Sequence, residues 1–198
     1  MKKKKPWETK LIEKIQDVIN YYFPKATAEA LSKFKKEKEE EIPLMRTKVD
    51  FARGFQAWFL LKYLIEGKFT PMEFISGNPA GYFTKKELQM VGNFLDNKKG
   101  LYEIISISKN KKDYIIKNVV NNDVTPVKTI NFPAKLSVKE YIYAIPVKRL
   151  DGNYFFYGNV ACYSRENGEH IKKVFLEEWK KQKNKGIRIK EKNKNVKR

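Results

Sequence analysis

TKKELQMVGNFLDNKKGLYEIISIS (Thr84–Ser108) changes its period part-way along. Thr84 with Glu87 three residues on is a capping box, which predicts a helix start. Leu88, Val91, Phe94 and Leu95 then recur at helical spacing, and the pattern stops near Asp96. After Gly100 the apolar residues of LYEIISIS fall at a spacing of about two, which is the pattern of a strand. The chain therefore reads as helices before Gly100 and strands after it. Segregated runs of this kind argue α+β architecture, not a parallel βαβ sheet.

Working back towards the N-terminus, Trp7, Leu11, Ile15, Val18, Ile19 and Tyr22 predict an amphipathic helix over 7–22, stopped by Pro24. Thr27 is a candidate cap for a second helix reaching about Glu41, with Leu31 and Phe34 as its apolar anchors and a charged run Lys33–Glu41 before Pro43. VDFARGFQAWFLLKYLIE (Val49–Glu66) is apolar on more than one face, as a core helix is, and Gly67 is a natural stop. Thr70-Pro71-Met72-Glu73 is a second capping box with proline in the first turn. Ser76–Phe83 reads as a loop from its Gly and Pro content.

Working forward, DYIIKNVV (Asp113–Val120), VTPVKTI (Val124–Ile130), YIYAIPVKRL (Tyr141–Leu150) and NYFFYGNVACYS (Asn153–Ser164) read as strands. Pro126 demotes the second of these to an edge or bulged strand. Asp151-Gly152 is the strongest hairpin signal in the chain. Glu169–Gln182 reads as a closing helix with Val174, Phe175 and Trp179 as one stripe. The expected organisation is a helical N-terminal half (1–100), a small antiparallel sheet or barrel with a C-terminal helix (101–182), and a flexible basic tail (183–198).

The chain has 198 residues and a formal net charge of +19, with 42 Lys and Arg against 23 Asp and Glu. Lys2–Lys5 contribute +4, and residues 180–198 hold ten Lys and Arg against Glu191, a further +9. Residues 6–179 carry 28 basic and 22 acidic side chains, so the centre is only mildly basic. Blocks of like charge repel themselves and fit a polyanion. Contacts to phosphates release counterions, so such binding is salt-dependent and largely blind to sequence. Solvation alone is the competing explanation of these lysines. No run is long enough to span a bilayer and no continuous apolar segment marks a signal peptide, so the expected location is cytoplasmic, away from membranes.

Catalytic chemistry has little to build on. One cysteine and one histidine exclude a disulfide and any multi-cysteine or multi-histidine metal centre, so neither metal nor cofactor is expected. Cys162 reads as a buried structural cysteine and His170 as a solvent-facing side chain, not as a catalytic pair. Glu103 lies on a strand, Asp113, Asp123 and Asp151 read as turn residues, and turn chemistry alone explains Asp123 and Asp151. Gly77–Gly81 lacks the ending of a phosphate-binding loop.

The strands hold Tyr102, Tyr114, Tyr141, Tyr143, Tyr154, Phe155, Phe156, Tyr157 and Tyr163. Exposed aromatics beside basic side chains stack single-stranded bases, although tyrosine is also an ordinary strand residue. The first expectation is a non-enzymatic RNA-associated protein, RNA being favoured over DNA. Its candidate contacts are Tyr141, Tyr143, Lys148, Arg149, Lys172, Lys173, Lys180, Lys181, Lys183, Lys185, Arg188 and Lys190. A protein-interaction or scaffold module, using Lys33–Glu41 and Ser76–Phe83, is the alternative. A hydrolase or nuclease without a recognisable motif is the third.

The segment from Phe51 to Tyr157 resembles a group of poorly characterised prokaryotic proteins related to those carrying a SEC-C motif. The resemblance lies in the order helix, GKFTP, helix, GLYE, small β unit and RLDGNY, with Gly67, Thr70, Pro71, Gly100, Leu101, Tyr102, Glu103, Arg149 and Tyr154 at the matching positions. It implies the order of the fold and no transferable activity. The SEC-C motif binds zinc through Cys and His, and this chain does not supply those ligands.

Overall fold

The computed structural model describes all residues except 1–5, 39–47, 111, 129–135 and 196–198, and no side chain of Lys48 or of residues 184–195. Among the described residues six α-helices and five strands follow in the order α1 (Trp7–Tyr22), α2 (Ala26–Glu37), α3 (Lys48–Lys62), α4 (Pro71–Ser76), α5 (Lys85–Leu95), β1 (Gly100–Ile107), β2 (Asp113–Asn118), β3 (Val124–Lys128), β4 (Tyr141–Lys148), β5 (Tyr154–Tyr163) and α6 (Arg165–Asn195), with a 3-10 turn at Pro79–Gly81. The protein is α+β, with a helical N-terminal half and a C-terminal helix.

Two compact units divide the chain. The first comprises Met1–Lys98 with Ile145–Asn159, and the second Lys99–Ala144 with Val160–Arg198. The division cuts through β4 and β5, so the far end of the β4–β5 hairpin belongs with the helices.

In the first unit, α1 buries Leu11, Ile12, Ile15, Val18 and Ile19, the face that i, i+4 spacing creates. Ala57, Phe59 and Leu60 of α3, Met72 and Ile75 of α4 and Met90, Val91 and Phe94 of α5 join that core, together with Ile145, Val147 and Tyr157. Both capping boxes form. Thr70 and Thr84 each accept from the backbone N–H three residues on, and Glu73 and Glu87 accept from the cap N–H in return. The hydrogen bond from the Thr70 backbone holds the Glu73 carboxyl below its ordinary value. Burial pushes Glu87 up, but the Thr84 and Lys14 contacts outweigh it and lower it.

Several sequence expectations are corrected here. Thr27 does not cap α2: the helix starts at Ala26, and the Thr27 hydroxyl donates to Asn20 Oδ1 at 2.7 Å. The expected extension to Glu41 and the break at Pro43 lie outside the described residues. α3 stops at Lys62, and Gly67 instead serves the turn Glu66–Gly67 that joins the Ile65–Phe69 bridge, with φ +72. Leu95 is exposed, and Met90, which the spacing passes over, is buried.

In the second unit β1 pairs antiparallel with β2 and with β4, and β2 with β3. The strand order is β1-β2-β3-β5-β4 and closes on itself. β3 therefore lies between β2 and β5, and the closed order leaves no edge for the strand that contains Pro126. Tyr114 and Ile116 are buried on either side of exposed Ile115, the alternation of a sheet with one face covered. A bulge separates Ile104 from Ser106 on β1. At the hairpin, Arg149 N–H donates to Asn153 O at 2.6 Å, and Gly152 takes φ +86, a conformation glycine adopts without strain.

α6 begins at Arg165, earlier than the spacing suggests, and its backbone stays helical through residues 183–195, which the sequence reading assigns to a flexible tail. Lysine, arginine and glutamate are good helix formers, and cations favour a helix C-terminus. Among the described residues no helix is long and apolar enough to cross a membrane.

Candidate nucleic-acid interface

α6 carries two different charge distributions. Residues 165–179 hold Arg165, Lys172 and Lys173 against Glu166, Glu169, Glu177 and Glu178, a net −1. Residues 180–195 hold eight Lys and Arg against Glu191, a net +7. The first segment is fastened to the sheet. Gly168 lies against the Tyr141 ring so closely that an added Cβ would fall 2.1 Å from Cδ2. The Tyr141 hydroxyl donates to Glu169 Oε1 at 2.5 Å and accepts from Lys172 Nζ at 3.3 Å. One turn on, Phe175 meets Tyr143 edge to face at 6.0 Å between ring centroids.

Tyr141 is thus not a stacking surface. It is 1 % exposed, and its hydroxyl is held by two side chains of α6. Burial first, and the Glu169 contact second, push its ionisation well above the ordinary range. Glu169 is lowered chiefly by the Tyr141 hydrogen bond. Tyr143 is half-buried between Phe175 and the Lys99 ammonium, which lies 5.1 Å from its ring centroid.

Arg149 is also committed elsewhere. Its Nε lies 3.0 Å from Glu8 Oε1, its guanidinium sits 5.3 Å from the Phe155 ring, and its side chain is 16 % exposed. The pairing with Glu8 neutralises the cation that the sequence reading assigns to a phosphate. Lys148 is exposed, and its carbonyl accepts from Asn93 Nδ2 at 2.9 Å. Both belong to the first unit, whereas Tyr141, Tyr143 and the α6 lysines belong to the second.

Of the remaining candidates, Lys172 is held by Tyr141 and Glu169. Lys173 and Lys180 are exposed. Lys181 contacts Glu178 at 2.7 Å. Lys183 lies over the Trp179 ring at 5.1 Å. Lys185, Arg188 and Lys190 are on helical backbone, and their side chains, like Lys2–Lys5, lie outside the described residues. Trp179 was not among the sequence candidates. Its stripe position suggests core, but it is 38 % exposed, and the i, i+4 spacing to Lys183 is the signal that marks it.

Cys162 is exposed, not buried, because β5 buries little beyond Tyr157. His170 is exposed as expected. Among the described residues no group of three or more His, Cys, Asp or Glu is placed to hold a metal ion. The positions on which the expected resemblance rests have structural duties: Gly67 in a turn, Thr70 and Pro71 at a helix start, Tyr102 in the core and Arg149 in an ion pair. No protein-family model, curated protein or solved structure matches this chain.

Proposed function

We propose that this protein is a non-enzymatic RNA-associated protein that binds phosphates through the second half of α6, with Lys2–Lys5 as a further cationic contribution. The observation that carries this reading is the switch from −1 to +7 at residue 180 of one helix. Lysines at 181 and 185, and basic residues at 188 and 192, stand i, i+4 apart, and like charges at that spacing oppose the helix. A polyphosphate chain relieves that repulsion and gains counterion release. Tyr141 and Arg149 have other partners, so this reading rests on α6 and not on the sheet. RNA is preferred to DNA because exposed aromatics with basic neighbours suit single strands.

The test is charge reversal. Lys180→Glu, Lys181→Glu and Lys183→Glu together are expected to abolish retention of poly(U) at low salt. The same number of reversals at Lys68, Lys85 and Lys86, exposed on the first unit, is expected to leave most of it. Equal losses from the two triple variants would refute an α6 interface.

A protein-contact reading draws on a different surface. Tyr21 is 74 % exposed and meets Tyr22 edge to face, and Tyr22 meets Phe74 and Tyr82. Tyr82 belongs to the loop Ser76–Phe83 that the scaffold alternative uses. Under that reading a stoichiometric partner is retained at high salt and lost on Tyr21→Ser with Tyr82→Ser.

A further inference from the structure

Resting on the α6 reading above, we propose that Trp179 is a stacking platform for an unpaired RNA base, flanked by Lys183 and the cationic segment that follows. Gly168, Phe175 and Trp179 follow at i, i+7 and i+11, so they share one stripe of α6. The first two positions of that stripe meet Tyr141 and Tyr143. Trp179 lies one turn further on, with the Lys183 ammonium 5.1 Å from its ring centroid. More than a third of the largest apolar side chain in the protein's alphabet is left to solvent on a helix that carries a net +7 from there to residue 195.

Packing accounts for the covered part of this indole and leaves the exposed 38 % without a structural use. It is well explained as half of a single-strand site. Every base has a π-face, so stacking tolerates any sequence, and basic neighbours hold the backbone while the ring holds the base. Lys180, Lys181 and Lys183 stand within one turn of Trp179, and residues 180–195 carry +7. That charge selects a polyanion, and the exposed ring selects one with unpaired bases over a base-free polyanion or a duplex. Trp7 is similarly exposed and has the Lys86 ammonium 5.5 Å from its ring centroid, but the helix that carries it holds Lys10 and Lys14 against Glu8, Glu13 and Asp17, a net −1, where residues 180–195 of α6 carry +7.

The experiment uses the full chain with two probes, poly(U) and heparin, the second being a polyanion without bases. Poly(U) is expected to quench tryptophan emission, and Trp179→Ala is expected to weaken poly(U) binding about tenfold while leaving heparin binding unchanged. Trp179→Phe is expected to keep most of the affinity and lose most of the quench. If Trp179→Ala binds poly(U) as the unsubstituted chain does, the stacking proposal is overturned and the phosphate reading stands. If the unsubstituted chain binds neither probe at low salt, both fall together.

Discussion

The Tyr157 hydroxyl is buried without a hydrogen-bond partner among the described residues, and burial alone pushes its ionisation up. An unsatisfied buried hydroxyl carries a desolvation cost of about 1–3 kcal/mol. Tyr157→Phe keeps the ring against Phe94, at 4.9 Å between centroids, and removes that cost. It is therefore expected to raise the denaturant midpoint, and a clear fall would show that the hydroxyl has a partner. Tyr141 behaves differently because its hydroxyl is used. Its ionisation is raised above the ordinary 10.0, so the stability it contributes is complete below pH 10.0 and is lost as pH rises further. Stability is thus expected to fall on the alkaline side, less steeply in Tyr141→Phe. An identical alkaline limb in that variant would assign the loss to Tyr63, Tyr114, Tyr157 and Tyr163, which are also raised. Glu169 works in the opposite sense: its lowered carboxyl contributes above the ordinary value of 4.5, and that contribution is lost on acidification. Neither the fate of Tyr141 nor that of Arg149 was legible in the sequence. Residue type showed what each side chain can do, but the partners Glu169 and Glu8 lie 28 and 141 positions away, and only the fold brings them near.

Among the elements, α6 is where local rules and tertiary packing separate most clearly. Gly168 sits inside a helix, where Gly→Ala ordinarily gains up to about 1 kcal/mol. Here the new Cβ would meet the buried Tyr141 ring at 2.1 Å, and overpacking of that kind costs about 1–3 kcal/mol. The steric term is the larger, so Gly168→Ala is expected to lower the midpoint of thermal unfolding, and a rise would mean that the ring yields. The second half of α6 carries a net +7 over residues 180–195, and that like charge opposes the helix. Its helical content is expected to increase when heparin is added at low salt, read by circular dichroism, and to be unmoved by heparin in a chain ending at Gln182. The capping boxes at Thr70 and Thr84 and the hairpin at Asp151-Gly152 were legible because each is a local device with few residues. The start of α2 and the end of α3 were not, because Thr27 found Asn20 and Gly67 served a turn instead.

For the whole molecule, the order of helices, strands and helix follows from one change of period at Gly100, since a strand and a helix bury their faces at different spacings. The division into two compact units does not follow from it. Ile145, Val147 and Tyr157 join the core of α1, α3, α4 and α5, although they come from strands about fifty or more residues after α5. Sequence spacing assigns those residues to a sheet and leaves open which core they enter. Charge, by contrast, was legible at once: +13 of the +19 lies in residues 2–5 and 180–198. The most direct measurement of what that charge does is the affinity for single-stranded RNA across a salt series, for the full chain and for one lacking residues 183–198. The account predicts a steep loss of affinity with salt in the full chain, and a slope shallower by about 0.7 for every phosphate contact removed with the segment. Affinity and slope left unchanged by the deletion would contradict it.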